Sequence, residues 1–188
     1  MEYRVRKYPL FSACGLNCGL CPRFHTDGQS RCPGCAGEGF SEAHPSCGVL
    51  SCCQRKGIEY CFLCEEYPCK KYVGVDLTDS FITHKNQLRD LEKAKRIGMQ
   101  AYETELNEKV MILEELIKNY DDGRRKSFYC LAVNLLDLQD IKNVIGRIDS
   151  TMEPEMTLKM KSGAVVRLFE EMAEMKGVSL KLRKKTKT

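Results

Sequence analysis

Beyond Tyr72, apolar residues recur every three to four positions in long segments; before it they show no sustained period. The later pattern predicts a series of helices. The first runs from a cap at Asp79 to about Ile97, with Phe81, Leu88 and Leu91 facing inward and Gly98 as the stop. The second, about 99–120, carries a stripe of Met99, Tyr102, Leu106, Leu113, Leu116, Ile117 and Tyr120, and Asp121-Asp122-Gly123 ends it. The nearly all-apolar run Phe128 to Leu136 marks a buried helix over 125–136. Leu138, Ile141, Ile145 and Ile148 mark a shorter one. Pro154 suits the first turn of a helix over 154–176, closed by Gly177.

Two short alternating segments predict strands. Tyr3 and Val5 alternate with Arg4 and Arg6 over 3–9, and Val178, Leu180 and Leu182 alternate with Ser179, Lys181 and Arg183 at the other end. Between the first strand and residue 72 the chain reads as loops and turns. The expected fold is α+β, mainly α: a loop-rich cysteine module over residues 1–72 and a helical region over 73–188, with short strands near the two ends. No repeat of solenoid length is visible.

Composition explains what orders the loops. The chain has 188 residues, enough to bury a core without covalent staples, yet it holds 12 cysteines. Eleven of them fall between Cys14 and Cys69, a density that fits a disulfide scaffold or a metal site. Met1 to Leu10 is charged and aromatic, with no apolar core of a secretory signal, and no run has the length of a membrane span. The expected setting is a soluble, reducing, cytoplasmic one, where disulfides are rare.

The spacing favours metal. It runs Cys14-x3-Cys18-x2-Cys21, Cys32-x2-Cys35, Cys47-x4-Cys52, Cys61-x2-Cys64 and Cys69, with Cys53 directly after Cys52. Two residues between thiols let one tight turn present both sulfurs to one ion, while backbone N–H groups of the turn donate to them. Gly19, Gly34 and Gly48 supply permissive backbone in or beside these groups, and Pro33 presets the turn of Cys32-Pro33-Gly34-Cys35. The expected ligands are Cys14, Cys18, Cys21, Cys32, Cys35, Cys47, Cys52, Cys61, Cys64 and Cys69, holding about two zinc ions. One pairing joins Cys32/Cys35 with Cys61/Cys64 and leaves Cys14, Cys18, Cys21, Cys47, Cys52 and Cys69 for the second ion; a crossed arrangement stands beside it. Cys53 reads as a free neighbour, Cys130 as a core residue, and His25, His44 and His84 as surface residues.

A competing reading takes Cys14, Cys18 and Cys21 as ligands of a [4Fe–4S] cluster, since radical-SAM enzymes use that spacing. Against it, no alternation of strands and helices follows to build a partial barrel. Likewise Cys32 to Cys35 lacks the βαβ surroundings of a redox pair. No nucleotide-binding fingerprint or catalytic set of side chains stands out, so the balance falls against an enzyme.

Charge adds little. Residues 76–180 carry 16 basic and 19 acidic groups, and the net +4 of the chain rests on five basic groups in its last eight residues. Such a tail reads as a solvated end rather than a nucleic-acid arm, and its last five residues, Lys184 to Thr188, as dispensable for fold and metal. No aromatic residues interleave with a basic patch, which also argues against nucleic acid. A protein partner is the expected one.

The segment Ala13-Cys14-Gly15-Leu16-Asn17-Cys18-Gly19-Leu20-Cys21-Pro22, followed by Cys32-Pro33-Gly34-Cys35, Cys47-x4-Cys52, Lys56-Gly57 and Cys61-x2-Cys64-Glu65-Glu66-Tyr67-Pro68-Cys69, resembles a mainly prokaryotic, cysteine-rich domain-of-unknown-function family, number three-seven-nine-five. The likeness is close over 11–72. It is looser from Asp122-Gly123 to Leu136 and over Gly177 to Leu182. It implies a zinc-binding module, leaves Cys53 outside the ligand set, and supplies no activity.

Overall fold

The computed structural model describes residues 4–184. Seven helices appear among them: α1 Phe40–Ala43, α2 Gly48–Arg55, α3 Gln87–Ile97, α4 Met99–Tyr120, α5 Lys126–Leu135, α6 Leu138–Thr151 and α7 Leu158–Met175. Four single 3-10 turns, at Cys18–Leu20, Gly28–Ser30, Cys61–Leu63 and Lys70–Tyr72, complete the regular structure. The chain divides into two compact units. One runs to Asn107 and takes in the segment from Leu182; the other is Glu108–Lys181.

The expected α+β class is corrected to an all-helical one, because no strand occurs among the described residues. Alternation alone does not make a strand; a partner edge must be present to accept its backbone bonds. Near the N-terminus a side chain fills that role. The Gln54 amide accepts the Arg4 N–H at 3.3 Å and donates to the Arg4 carbonyl at 2.7 Å. The Arg6 N–H goes to the Ala36 carbonyl at 3.0 Å. The segment after α7 is likewise not a strand. Val178 N–H bonds back to the Ala173 carbonyl at 2.8 Å, closing the helix past Gly177.

Asp79 does not cap a helix either. α3 starts later, at Gln87, and Phe81 is 65 % exposed rather than inward-facing. Asp79 is instead a buried anchor for Arg183. Its carboxylate accepts the Arg183 backbone N–H at 2.7 Å, Arg183 Nη2 at 2.8 Å and the His84 N–H at 2.7 Å, and its own N–H donates to the Arg183 carbonyl. Burial raises the carboxyl pKa, but these donors overcome it and hold the group down at about 2. Replacing Arg183 with alanine is expected to cost about 1–3 kcal/mol, below the usual cost of orphaning a buried charge because two backbone amides remain. A urea midpoint unchanged by Arg183→Ala contradicts the anchor. The acid side gives the same test. A depressed carboxyl pKa contributes stability that is present above about 4 and lost as pH falls toward about 2. The variant should lose most of that acid-dependent step. Of the basic tail expected to be dispensable, Lys185 to Thr188 lie outside the described residues.

Unit Glu108–Lys181 follows its apolar periods. Tyr129 and Val133 of α5, Ile141, Val144 and Ile148 of α6, and Val165, Phe169 and Met172 of α7 are buried together with Leu113 and Leu116 of α4. Burying each such side chain contributes roughly 1.5–3 kcal/mol. Cys130 is buried among them, 2 % exposed, as a small hydrophobe. Lys109, also buried, donates to the Leu136 carbonyl at 2.7 Å just past the end of α5. Thr157 caps α7 by accepting the Met160 N–H at 3.3 Å, so the helix begins four residues after Pro154.

Candidate metal centre

The loop from Cys14 to Cys21 is held from beneath by buried polar groups. Asn17 donates to Asp90 at 2.8 Å and accepts from the Tyr102 hydroxyl at 2.8 Å; Asn86 also donates to Asp90, at 2.7 Å. The Cys14 carbonyl accepts from Gln87 at 2.9 Å and from the Tyr72 hydroxyl at 3.2 Å. Gly15 allows the close approach. It has φ +94°, and a Cβ there would lie 2.5 Å from the Gln87 carbonyl oxygen and from the Leu91 side chain. The first turn of α3 and the start of α4 thus form a rigid floor for this loop.

Both C-x-x-C turns at Cys18 and Cys61 use one local solution. Each forms a 3-10 turn in which the N–H of the second cysteine donates to the carbonyl of the first, Cys21 to Cys18 at 3.1 Å and Cys64 to Cys61 at 3.0 Å. Cys32 and Cys35 are fixed by backbone bonds to the Arg23 and Pro9 carbonyls. Cys47 stands at the start of α2, where its sulfur accepts the Leu50 N–H at 3.5 Å.

These elements sort the cysteines into two cavities. Cys14, Cys18, Cys21, Cys32, Cys35 and Cys47 line one of about 370 Å³. Cys52, Cys53, Cys61, Cys64 and Cys69 line another of about 310 Å³. The pairing that joins Cys32/Cys35 to Cys61/Cys64 is therefore corrected: the two pairs line different cavities. None of the twelve cysteines is in a disulfide. Among the described residues, no three Cys, His, Asp or Glu side chains converge tightly enough to form a ready-made metal-holding group. The thiols stand around cavity walls instead of meeting at a point.

Electrostatics differ between the two cavities. In the first, burial dominates and pushes the Cys14 thiol up to about 12, Cys18 well above its ordinary value, and Cys21 and Cys35 upward. These thiols are neutral near pH 7 unless a cation offsets their charge. In the second, the sulfurs of Cys53 and Cys61 lie 3.5 Å apart. The Cys53 thiol donates to Cys61, which lowers Cys61 and raises Cys53. Lys56 reaches Cys64 at 3.2 Å and Glu66 at 2.7 Å at the exposed rim.

Arg6 escapes the sequence reading, and two histidines read as surface residues, His44 exposed and His84 half-buried, also border a cavity. Arg6, taken as the polar face of a strand, is buried. It pairs with Glu59 at 2.7 Å, donates to the Phe11 carbonyl at 2.7 Å and lies 4.8 Å over the Tyr60 ring. Its charge acts on Cys35. His44 and His84 both stand on the wall of the first cavity, His44 stacked on Phe40 at 4.6 Å. His25 stays outside, bonded to the Gly19 carbonyl at 2.7 Å. No sequence signal marks these roles, since each depends on contacts across the fold.

Fold and site define a helical protein whose N-terminal unit encloses two thiol-lined cavities. Residues 10–74 match the model of a family described as a protein of unknown function (DUF3795), the family that the cysteine motifs resemble. No curated protein and no solved structure matches the chain.

Proposed function

We propose that the cysteine-rich part is a zinc-binding module with a structural metal centre in each cavity, about two ions per chain. One observation carries the reading: all eleven clustered cysteines line two cavities with no disulfide among them, in a segment with little regular structure. In the second cavity Cys52, Cys61, Cys64 and Cys69 supply the four sulfurs of a tetrahedral ion, with Cys53 beside Cys61. In the first, the walls hold more sulfurs than one such ion needs. The ions act by ordering loops that present a surface to a protein partner.

Metal analysis with a visible spectrum tests the reading. Zinc protein is colourless, whereas an iron–sulfur cluster on Cys14, Cys18 and Cys21 absorbs in the visible. Proton release gives a second test. A free thiol is neutral at pH 7, and burial raises these further. Ligation requires thiolates, so zinc uptake at pH 7 should release about one proton per ligating sulfur of the first cavity and somewhat less from the second, where Cys61 is lowered to about 7, and affinity should fall as pH falls. Titration calorimetry in buffers of different ionisation enthalpy measures the protons. Uptake without proton release contradicts thiolate ligation.

A further inference from the structure

A four-sulfur ion in the second cavity leaves one thiol over, that of Cys53. Cys53 lies on the buried face of α2 with Leu50 and is 2 % exposed, whereas its neighbour Cys52 is half-buried. Its sulfur is 3.5 Å from that of Cys61, which is also buried. Backbone bonds pin both residues. The Ile58 N–H donates to the Cys53 carbonyl at 3.0 Å, and the Cys61 N–H donates to the Ala13 carbonyl at 2.9 Å. The two sulfurs therefore face each other across the segment 56–60 that joins α2 to the Cys61 turn. Cys64, the other thiol of that turn, stands at the exposed rim, 3.2 Å from Lys56 Nζ.

We propose that Cys53 and Cys61 form a site of reversible oxidation, closed to a disulfide by a peroxide. The effect on metal, loss of the ion from the second cavity, rests on the reading of that cavity as a metal centre. The disulfide itself does not.

The cavity supplies the access. It holds about 310 Å³, and Lys56 and Glu66 on its wall are exposed. Hydrogen peroxide is little larger than water, which takes about 30 Å³ in the liquid, so it fits beside the sulfurs. The Cys61 thiolate attacks one peroxide oxygen. The O–O bond breaks, and the departing hydroxide takes up the proton that the thiol has lost, giving water. Cys61 is then a sulfenic acid, oxidised by two electrons. The Cys53 sulfur attacks it, the S–O bond breaks and the S–S bond forms, and the Cys53 proton leaves with the hydroxyl as a second water. Two thiols and one peroxide thus give one disulfide and two waters. Bonding distance asks the sulfurs to close by about 1.5 Å, a shift on the scale of a sulfur's swing about Cα–Cβ.

Once in the disulfide, Cys61 is no longer a thiolate. Cys52, Cys64 and Cys69 remain, one sulfur short of a tetrahedral site. The first cavity keeps all six of its sulfurs. A small dithiol restores the pair by thiol–disulfide exchange.

The test uses full-length protein isolated with its own metal and treated with limiting hydrogen peroxide. Remaining thiols are blocked in denaturant, disulfides are mapped by tandem mass spectrometry, and released zinc is read with a chromogenic chelator. The first cross-link should join Cys53 to Cys61, with about one zinc ion lost per disulfide. Dithiothreitol should reverse it, and the cysteines of the first cavity should stay reduced. Cys53→Ser should give no such cross-link and keep its zinc at the same dose. A first disulfide between any other two cysteines overturns the proposal, and the map of the unaltered protein decides this even where Cys53→Ser fails to fold. Folded Cys53→Ser that loses zinc as fast as the unaltered protein overturns it too. A Cys53–Cys61 cross-link in protein that holds no metal supports the oxidation site and removes the metal-centre reading.

Discussion

Stripping the metal with a chelator under reducing conditions is expected to unfold the segment 10–74 while α5, α6 and α7 stay folded. The longest helix in that segment, α2, has 8 residues, and α1 has 4. Helices shorter than about 12 residues are marginal in water without packing. Structural zinc supplies on the order of 10–16 kcal/mol per ion, which matches or exceeds the whole stability of an ordinary domain. The second unit has its own buried core around Tyr129, Ile141 and Phe169 and needs no ligand to hold it. Hydrogen exchange read peptide by peptide separates these responses. Protection should be lost across 10–74 and kept across α5 to α7. Unchanged protection in 10–74 means that metal does not order the segment. Simultaneous loss across α5 to α7 means that the two units fold as one.

Gly15→Ala should be among the most damaging single substitutions of a non-ligand residue in the cysteine loops. Its φ of +94° strains any other residue, and the new Cβ would meet backbone oxygen of Gln87 at 2.5 Å as well as the fully buried Leu91. Backbone in the first turn of a helix cannot yield as a flexible side chain does. Strain and overpacking together are expected to cost about 3–5 kcal/mol. Because Cys14 is the adjacent residue, metal should be lost from the first cavity before the second. Gly57→Ala is the control. Gly57 also has positive φ, +66°, but an added Cβ meets nothing within 4 Å, so only about 1–2 kcal/mol of backbone strain applies. Urea midpoints and metal content of the two variants measure the difference. Equal effects refute the close packing of the Cys14 loop against α3.

Periodicity located α4 to α7 within a few residues, because their apolar stripes run the length of each helix. The strands and the Asp79 cap failed for the opposite reason. Arg4 is satisfied by Gln54 and Arg183 by Asp79, partners 50 and 104 residues away that no local pattern announces. α2 was hidden because Cys47, Cys52 and Cys53 read as ligand spacing, although Leu50 and Cys53 form its buried face. The clustering of the cysteines was legible from their spacing. Their division was not: whether Cys32 and Cys35 face Cys18 or Cys61 depends on how the loops dock on α3 and α4 through Asn17, Asp90 and Tyr102. Arg6 was missed because an arginine in an alternating segment carries no sign of burial.

The central claim is that both thiol cavities are metal centres. Native mass spectrometry of protein isolated without oxygen or added metal, with elemental analysis of the same sample, tests it most directly. The account predicts zinc at more than about one ion per chain, with the clustered cysteines shielded from alkylation until a chelator is added. Fewer than about one metal ion per chain, with the same cysteines alkylated at once or joined in disulfides, would contradict it.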